Sequence, residues 1–127
     1  MYTLYTLKRT LVSLAFLLLV VPGSGMGTDA DGRYEVYAFG LHSCGTFVEA
    51  RRNRDDFLFA TWFTGYMTAV NQLSHTAYSM LGTSDIEGAM LWIENYCRKN
   101  PLEPFAVASH ALLLFELYPK HFTKAPK

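Results

Sequence analysis

Residues 55–77, DDFLFATWFTGYMTAVNQLSHTA, carry the periodicity that decides the fold class. Apolar side chains recur at intervals of three and four along this stretch, and polar residues occupy the opposite side. Asp55 and Asp56 come first, where the helix dipole favours negative charge. The pattern predicts an amphipathic helix that packs one side against a core. We expect this helical region to end by Gly82, and the helix to break near residues 75–76.

Helical patterns continue on both sides of this segment, at residues 45–52, 84–99 and 100–118. Ser43 is placed to cap the first of these helices, and Ser84 and Glu87 have the spacing of a capping box at the second. Asn100 and Pro101 form a coherent start for the last helix. That helix is apolar nearly all round, which is typical of a central helix or of one that lies against a partner such as a second copy of the chain.

The beginning of the chain has the order of a secretory signal. Lys8 and Arg9 precede the apolar run Leu11–Val21, and small residues follow it. A membrane-spanning helix needs about 20 apolar residues, and this run has eleven. We therefore expect residues 1–27 to be a cleaved signal that directs export to the periplasm, rather than a stable membrane anchor.

The rest of the chain is long enough for one small domain. We expect a flexible or extended leader over residues 28–42, in which residues 34–39 have the partial alternation of an edge strand. Residues 43–118 should form the helical domain, and residues 119–127 a polar tail. The predicted fold class is thus all-α, with four helices and one disulfide.

Net charge narrows the range of partners. Loss of residues 1–27 removes Lys8 and Arg9, so nine basic residues remain against eleven acidic ones and the formal net charge becomes about −2. Nucleic-acid binding calls for a basic patch, and binding to an anionic membrane surface calls for a polybasic segment. We therefore expect neither of these roles.

Both cysteines, Cys44 and Cys97, lie in the mature part of the chain. In an oxidising compartment two lone cysteines usually pair, and both fall on the apolar sides of their predicted helices. We expect a structural Cys44–Cys97 disulfide in the core. The alternative is a pair of free buried thiols.

The sequence marks no catalytic, cofactor or metal site. His42, His75, His110 and His121 share no helix-face spacing, and His42 with Cys44 supplies two ligands where a metal site needs three or four. A phosphate-binding Gly-rich loop does not occur. We expect a protein without catalytic activity, with an unusual enzyme site as the less favoured reading.

Arg51, Arg52 and Arg54 form a short basic cluster at the end of the first helix. Such a cluster suits an acidic partner and is the candidate partner-binding site. A solvated helix end is the alternative.

Four stretches of the chain resemble small exported bacterial helical proteins. They are SCGTFVEAR at residues 43–51, WFTGY at residues 62–66, LWIENYCRKNP at residues 91–101, and the closing Ala- and Leu-rich helix. The similarity runs from Ser43 to Leu117 and is to the HdeA-like periplasmic proteins and the type VI secretion immunity proteins of the Rap/Tai kind.

The resemblance implies a compact all-helical domain with a disulfide between Cys44 and Cys97. An immunity protein of the Rap/Tai kind would bind and block a periplasmic toxin, often as a dimer. An HdeA-like protein would be an acid-stress chaperone that binds unfolded client proteins. Both implied functions are protein binding.

Overall fold

The computed structural model describes residues 28–75 and 77–122. The predicted signal sequence and the end of the predicted tail lie outside the described residues. The elements are a 3₁₀ turn (Ala38–Leu41), α1 (Cys44–Asn53), α2 (Phe57–Leu73), α3 (Ile86–Lys99), α4 (Phe105–Leu112), a π-helical turn (Leu113–Leu117) and α5 (Tyr118–Phe122). The predicted helical fold is confirmed. Residues 34–39 do not form the edge strand that their alternation suggested.

Residues 28–34 belong to a separate unit from the helices and form a turn. The Asp29 carboxylate accepts hydrogen bonds from the backbone N–H groups of Asp31 and Arg33, at 3.0 and 2.8 Å. The backbone N–H of Arg33 is the largest influence on the Asp29 carboxyl, and it holds the pKa of Asp29 below its ordinary value. The turn closes on itself through these local contacts.

Helix α1 begins at Cys44, one residue before its predicted start, and has the predicted cap. The Ser43 hydroxyl accepts a hydrogen bond from the backbone N–H of Thr46 at 3.1 Å, so Ser43 caps the helix. Arg54 ends the helix in a left-handed conformation with φ 57°, and its N–H returns to the carbonyls of Ala50 and Arg51. This is the usual geometry of a helix C-terminus, with an arginine where glycine is commoner.

Helix α2 ends at Leu73, before the predicted break. The side chain of Asn71 accepts a hydrogen bond from the N–H of Met80 at 2.8 Å, and Ser74 Oγ accepts one from the N–H of Ala77. These bonds hold the following loop and stop the helix. The predicted inner side is correct for Phe59 and Phe63, which are buried.

Helical spacing from Phe59 and Phe63 also assigns Leu73 to the inner side, and this prediction is wrong. Leu73 is 65% exposed, whereas Met67 is buried in its place. Leu73 is the last residue of the helix, because Ser74 has an extended backbone and the chain leaves the helical path there.

Helix α3 begins one residue later than the predicted capping box implied. The N-cap is Asp85 rather than Ser84, and its carboxylate accepts a hydrogen bond from the N–H of Gly88 at 2.7 Å. Helical spacing predicts one buried side for this helix, and its residues Ala89, Met90, Ile93 and Cys97 are buried.

The predicted start of the last helix is wrong. Helix α4 begins at Phe105, and residues 100–104 form a connection that serves both neighbouring helices. The carbonyls of Pro101 and Glu103 accept hydrogen bonds from the N–H groups of Gly45 and Cys44, at 2.9 and 2.7 Å. The free N–H groups of the first turn of α1 need such acceptors, so this segment caps α1 instead of forming a helix.

The helical path from α4 continues past Pro119, where the sequence predicted its end. Residues 113–117 form a π-helical turn, and α5 follows to Phe122. A proline disrupts the ordinary i→i−4 bond of an α-helix. The N–H of Tyr118 completes the π-helical turn by bonding to the carbonyl of Leu113, and Pro119 follows in the first turn of α5, where a proline is tolerated.

Three phenylalanine rings and the disulfide form the centre of the core. The rings of Phe47, Phe59 and Phe105 lie 4.7–5.2 Å apart, centroid to centroid, and bring α1, α2 and α4 together. Cys44 and Cys97 are fully buried and bonded, as predicted, which joins α1 to α3.

Reduction of this bond should lower stability sharply. The bonded residues are 53 apart in sequence, and closing such a loop stabilises a fold by about 4 kcal/mol in the chain-entropy model. We expect a Cys44→Ala/Cys97→Ala variant to lose a comparable free energy of unfolding in urea titrations. Reductant should shift the wild-type midpoint towards that of the variant and leave the variant unchanged. An equal midpoint for the two proteins without reductant would contradict the prediction.

Candidate protein-binding surfaces

Arg51, the first residue of the predicted basic cluster, is engaged inside the fold. Its guanidinium lies 3.0 Å from the carboxylate of Asp56, 2.6 Å from that of Glu87 and 3.1 Å from that of Glu94. Its side chain is only 15% exposed. We call these four residues the Arg51 cluster, and it ties the end of α1 to the start of α2 and to α3.

The cluster perturbs the ionisation of its members. The hydrogen bond that the Arg51 guanidinium donates to Glu87 is the main reason that the pKa of Arg51 is raised above its ordinary value. Burial alone would raise the pKa of Glu94, but its hydrogen bonds with Arg98 and Arg51 outweigh burial and lower it. Both groups are therefore held in their charged forms, which is the condition for a stable ion-pair cluster.

The other two arginines of the basic cluster face solvent. Arg52 pairs with Glu49 one turn earlier at 2.6 Å, and both side chains are largely exposed. Arg54 is exposed at the left-handed end of α1. The sequence hypothesis of a partner-binding arginine cluster therefore rests on Arg52 and Arg54, because Arg51 already has three carboxylate partners.

Helix α2 presents an outer face without charge. None of its seventeen residues is acidic, basic or histidine. Surface helices normally carry charged residues on the solvent side. We call its exposed side the α2 outer face, and it comprises Phe57, Leu58, Thr61, Gly65, Thr68, Ala69, Gln72 and Leu73.

A second exposed surface, largely apolar, follows α4 into the π-helical turn. We call it the α4 strip, and it consists of Val107, His110, Leu114 and Phe115. Phe115 is 71% exposed, although Leu113 and Leu117 on either side of it are buried. The strip borders α2, since the Tyr66 hydroxyl and His110 Nδ1 are 3.1 Å apart.

The α2 side of that border is held rigidly. The indole N–H of Trp62 donates to the carbonyl of Tyr37 at 2.8 Å, and the Trp62 ring stacks on Tyr66. Gly40 permits this arrangement, because a Cβ at that position would lie 2.3 Å from the indole. The aromatic residues beside both surfaces therefore have fixed positions.

The loop between α2 and α3 also projects an aromatic side chain. Tyr78 is fully exposed, whereas Met80 two residues later is buried. The N–H of Met80 is bound by Asn71, and its carbonyl lies 2.9 Å from His121 Nε2. The base of the loop is thus anchored from two helices.

Three of the four histidines contact other groups of the chain. His42 stacks on Phe39, and His110 and His121 hold the contacts given above. Across residues 28–75 and 77–122, no three side chains of His, Cys, Asp or Glu are grouped so that they could hold a metal ion. Among the helices of the same residues, none is long and apolar enough to cross a membrane.

Comparison with family models finds no match, and neither a curated protein nor a solved structure matches the chain. The resemblance to HdeA-like and Rap/Tai-type proteins therefore stays a prediction.

The surfaces differ in how much of them the sequence reveals. The absence of charge between Phe57 and Leu73 is visible in the sequence and could have marked the α2 outer face. The exposure of Phe115 could not be predicted from the sequence. Phe115 lies in a run of apolar residues, and such a run is assigned to the core. The π-helical turn decides which of them face out.

Replacement of Arg51 should destabilise the fold far more than replacement of its neighbour. Arg51→Met keeps the stem of the side chain but leaves partly buried carboxylates without their partner, so we expect a loss of about 2–3 kcal/mol. Arg52→Met, the matched control, removes an exposed pair and should cost less than about 0.5 kcal/mol. Urea unfolding at neutral pH measures both. Equal losses for the two variants would show that the Arg51 cluster contributes no more than a surface pair.

Proposed function

We propose that the chain is an exported, periplasmic protein that acts by binding another protein and has no catalytic activity of its own. A toxin that it blocks, as an immunity protein would, is the partner that we favour. The observation that carries the proposal is the exposed α4 strip, in which Phe115 is 71% exposed although Leu113 and Leu117 beside it are buried.

The chemistry of the strip suits an apolar anchor. Aromatic side chains that become buried in a partner supply much of the binding energy of protein interfaces. Leu114 and Phe115 are consecutive and both exposed, and they lie in a π-helical turn, a feature that frequently occurs at functional sites. The partner surface should therefore be apolar where it meets Phe115.

Two exposed arginines at the end of α1 also support a binding role. The exposed arginines Arg52 and Arg54 provide cationic groups that an acidic region of the partner would attract. Contacts of this kind accelerate association more than they add affinity. In this proposal the arginines guide the encounter and the α4 strip supplies the contact.

Export is supported by the core disulfide. Such bonds persist in oxidising compartments and are rare in the cytosol of mesophiles. The apolar run Leu11–Val21, with Lys8 and Arg9 before it, fits the same destination.

A charged residue in the strip should abolish partner binding. If a toxin is encoded beside this gene, we expect the mature protein to bind it. Phe115→Asp should raise the dissociation constant by a factor of about 100 or more. Leu91→Asp is the matched control, because Leu91 is 52% exposed on α3. This variant should bind the toxin with the affinity of the wild type. Calorimetry with the purified pair measures the affinities, and circular dichroism checks the fold. Equal affinities for the wild type and Phe115→Asp would overturn the strip as the binding site.

A periplasmic acid-stress chaperone is the second candidate, and the Arg51 cluster favours it. The folded pKa of Glu94 is below its unfolded value, so Glu94 contributes stability above the ordinary carboxyl pKa. That contribution is lost as the pH falls through the folded pKa. Acid thus loosens the contact between α1 and α3, and an opened chain would expose apolar surface to clients.

The chaperone role predicts activity in acid alone. We expect this protein to suppress the light scattering of an aggregating test protein at about pH 3 and to have no such effect at pH 7. The loss of stability between these pH values should be smaller for Glu94→Gln than for the wild type, whereas the exposed Glu35→Gln should behave as the wild type. Suppression that is absent at both pH values would rule out the chaperone.

A further inference from the structure

The centre of the α2 outer face holds a glycine that the fold itself does not require. Gly65 is exposed in a regular helix, and a Cβ there would meet no atom within 4 Å. Its φ is not positive, so backbone conformation does not call for glycine either. Glycine is among the least favourable residues in a helix interior. Neither the contacts nor the backbone conformation of the described residues therefore requires a glycine at Gly65.

The position of Gly65 within α2 is symmetric. The helix runs from Phe57 to Leu73, which places eight residues on each side of Gly65. Large exposed apolar side chains lie towards the two ends: Phe57, 75% exposed, and Leu58 at one end, and Leu73 at the other. Between them the outer face carries small or uncharged polar residues.

This profile matches two helices that cross at their midpoints. Crossed helices approach most closely at the crossing point and diverge towards their ends. A residue without a side chain at the crossing lets the backbones come together, and larger side chains fill the widening gaps. Gly65 and the terminal apolar residues occur in that order.

The absence of charge indicates which molecule covers the face. In an interface with two-fold symmetry the same patch meets itself, so any charged residue near the axis faces its own like charge. Helix α2 has no charged residue over its whole length. A different partner protein would impose no such restriction, because its own charges could differ from those of α2.

We propose that the α2 outer face is the contact between two copies of this chain, whose α2 helices cross at Gly65 on a two-fold axis. The dimer leaves the α4 strip for a different protein. The contact is independent of the proposed function, since it uses other residues and another helix.

The size of the face sets the expected strength. A helix of seventeen residues is about 25 Å long, so a single helix face falls below the roughly 800 Å² per partner of a standard interface. The dimer should therefore be weak and reversible. We expect a dissociation constant of about 1–100 μM.

Sedimentation equilibrium of the mature, disulfide-bonded protein tests the dimer between about 1 and 500 μM. The wild type should pass from monomer to dimer over this range. Gly65→Arg should remain monomeric throughout, and Leu91→Arg, on the exposed side of α3, should dimerise as the wild type does. A wild type that is monomeric at all concentrations, or a dimer that Gly65→Arg leaves unchanged, would overturn the proposal.

Gly65→Ala separates a close approach from general damage to the fold. Alanine favours the helix over glycine, so the melting temperature of the dilute monomer should rise. The added methyl group lies at the crossing point, so dimer affinity should fall at least threefold. An increase in both stability and affinity would contradict a crossing at Gly65.

A cysteine at the axis gives a positional test that does not depend on affinity. Two cysteines that face each other across the axis can form a disulfide when their Cα atoms lie about 4.4–6.8 Å apart. Under mild oxidation Gly65→Cys should form a covalent dimer, and Leu91→Cys should not. Equal yields of covalent dimer from the two variants would contradict the axis.

Discussion

The covalent bond between Cys44 and Cys97 sets the register on which much of the helical domain depends. It ties the first residue of α1 to the last turn of α3. With the two helices joined there, the end of α1 lies along the earlier turns of α3, and Arg51 reaches Glu94 and Glu87. The ion cluster is thus a consequence of the register that the disulfide imposes. Asp56 joins it because α2 starts immediately after α1.

Helices α1 to α4 divide into two chemical kinds. Helices α1 and α3 carry charged residues and are joined by the disulfide and by the Arg51 cluster. Helix α2 has no charged residue and α4 has a single histidine, and they meet each other through Tyr66 and His110 and through the aromatic core. The charges of the first pair are largely satisfied within the chain. The second pair leaves apolar and uncharged surface exposed, and for this reason both proposed contacts lie there.

The two proposed contacts differ in the kind of partner that their shapes suit. The α4 strip ends in two consecutive large side chains, Leu114 and Phe115, which require a recess in the surface that they meet. The α2 outer face has its smallest residue, Gly65, at the centre, which suits the convex side of a second helix. A surface of the first kind is suited to a different protein, and one of the second kind to a copy of itself.

The sequence by itself determined the helical class, the paired cysteines and the inner side of most of α2 and α3. These depend on local periodicity and on a count of two cysteines, which a chain carries without its fold. It misplaced the starts of α3 and α4, because the N-cap at Asp85 and the caps that Pro101 and Glu103 supply to α1 depend on which backbone groups come together. Only the tertiary structure decided that Arg51 lies among three carboxylates and that Phe115 faces solvent. Both depend on how helices distant in sequence pack together. The type of a residue, apolar or charged, does not by itself show whether other helices cover its side chain.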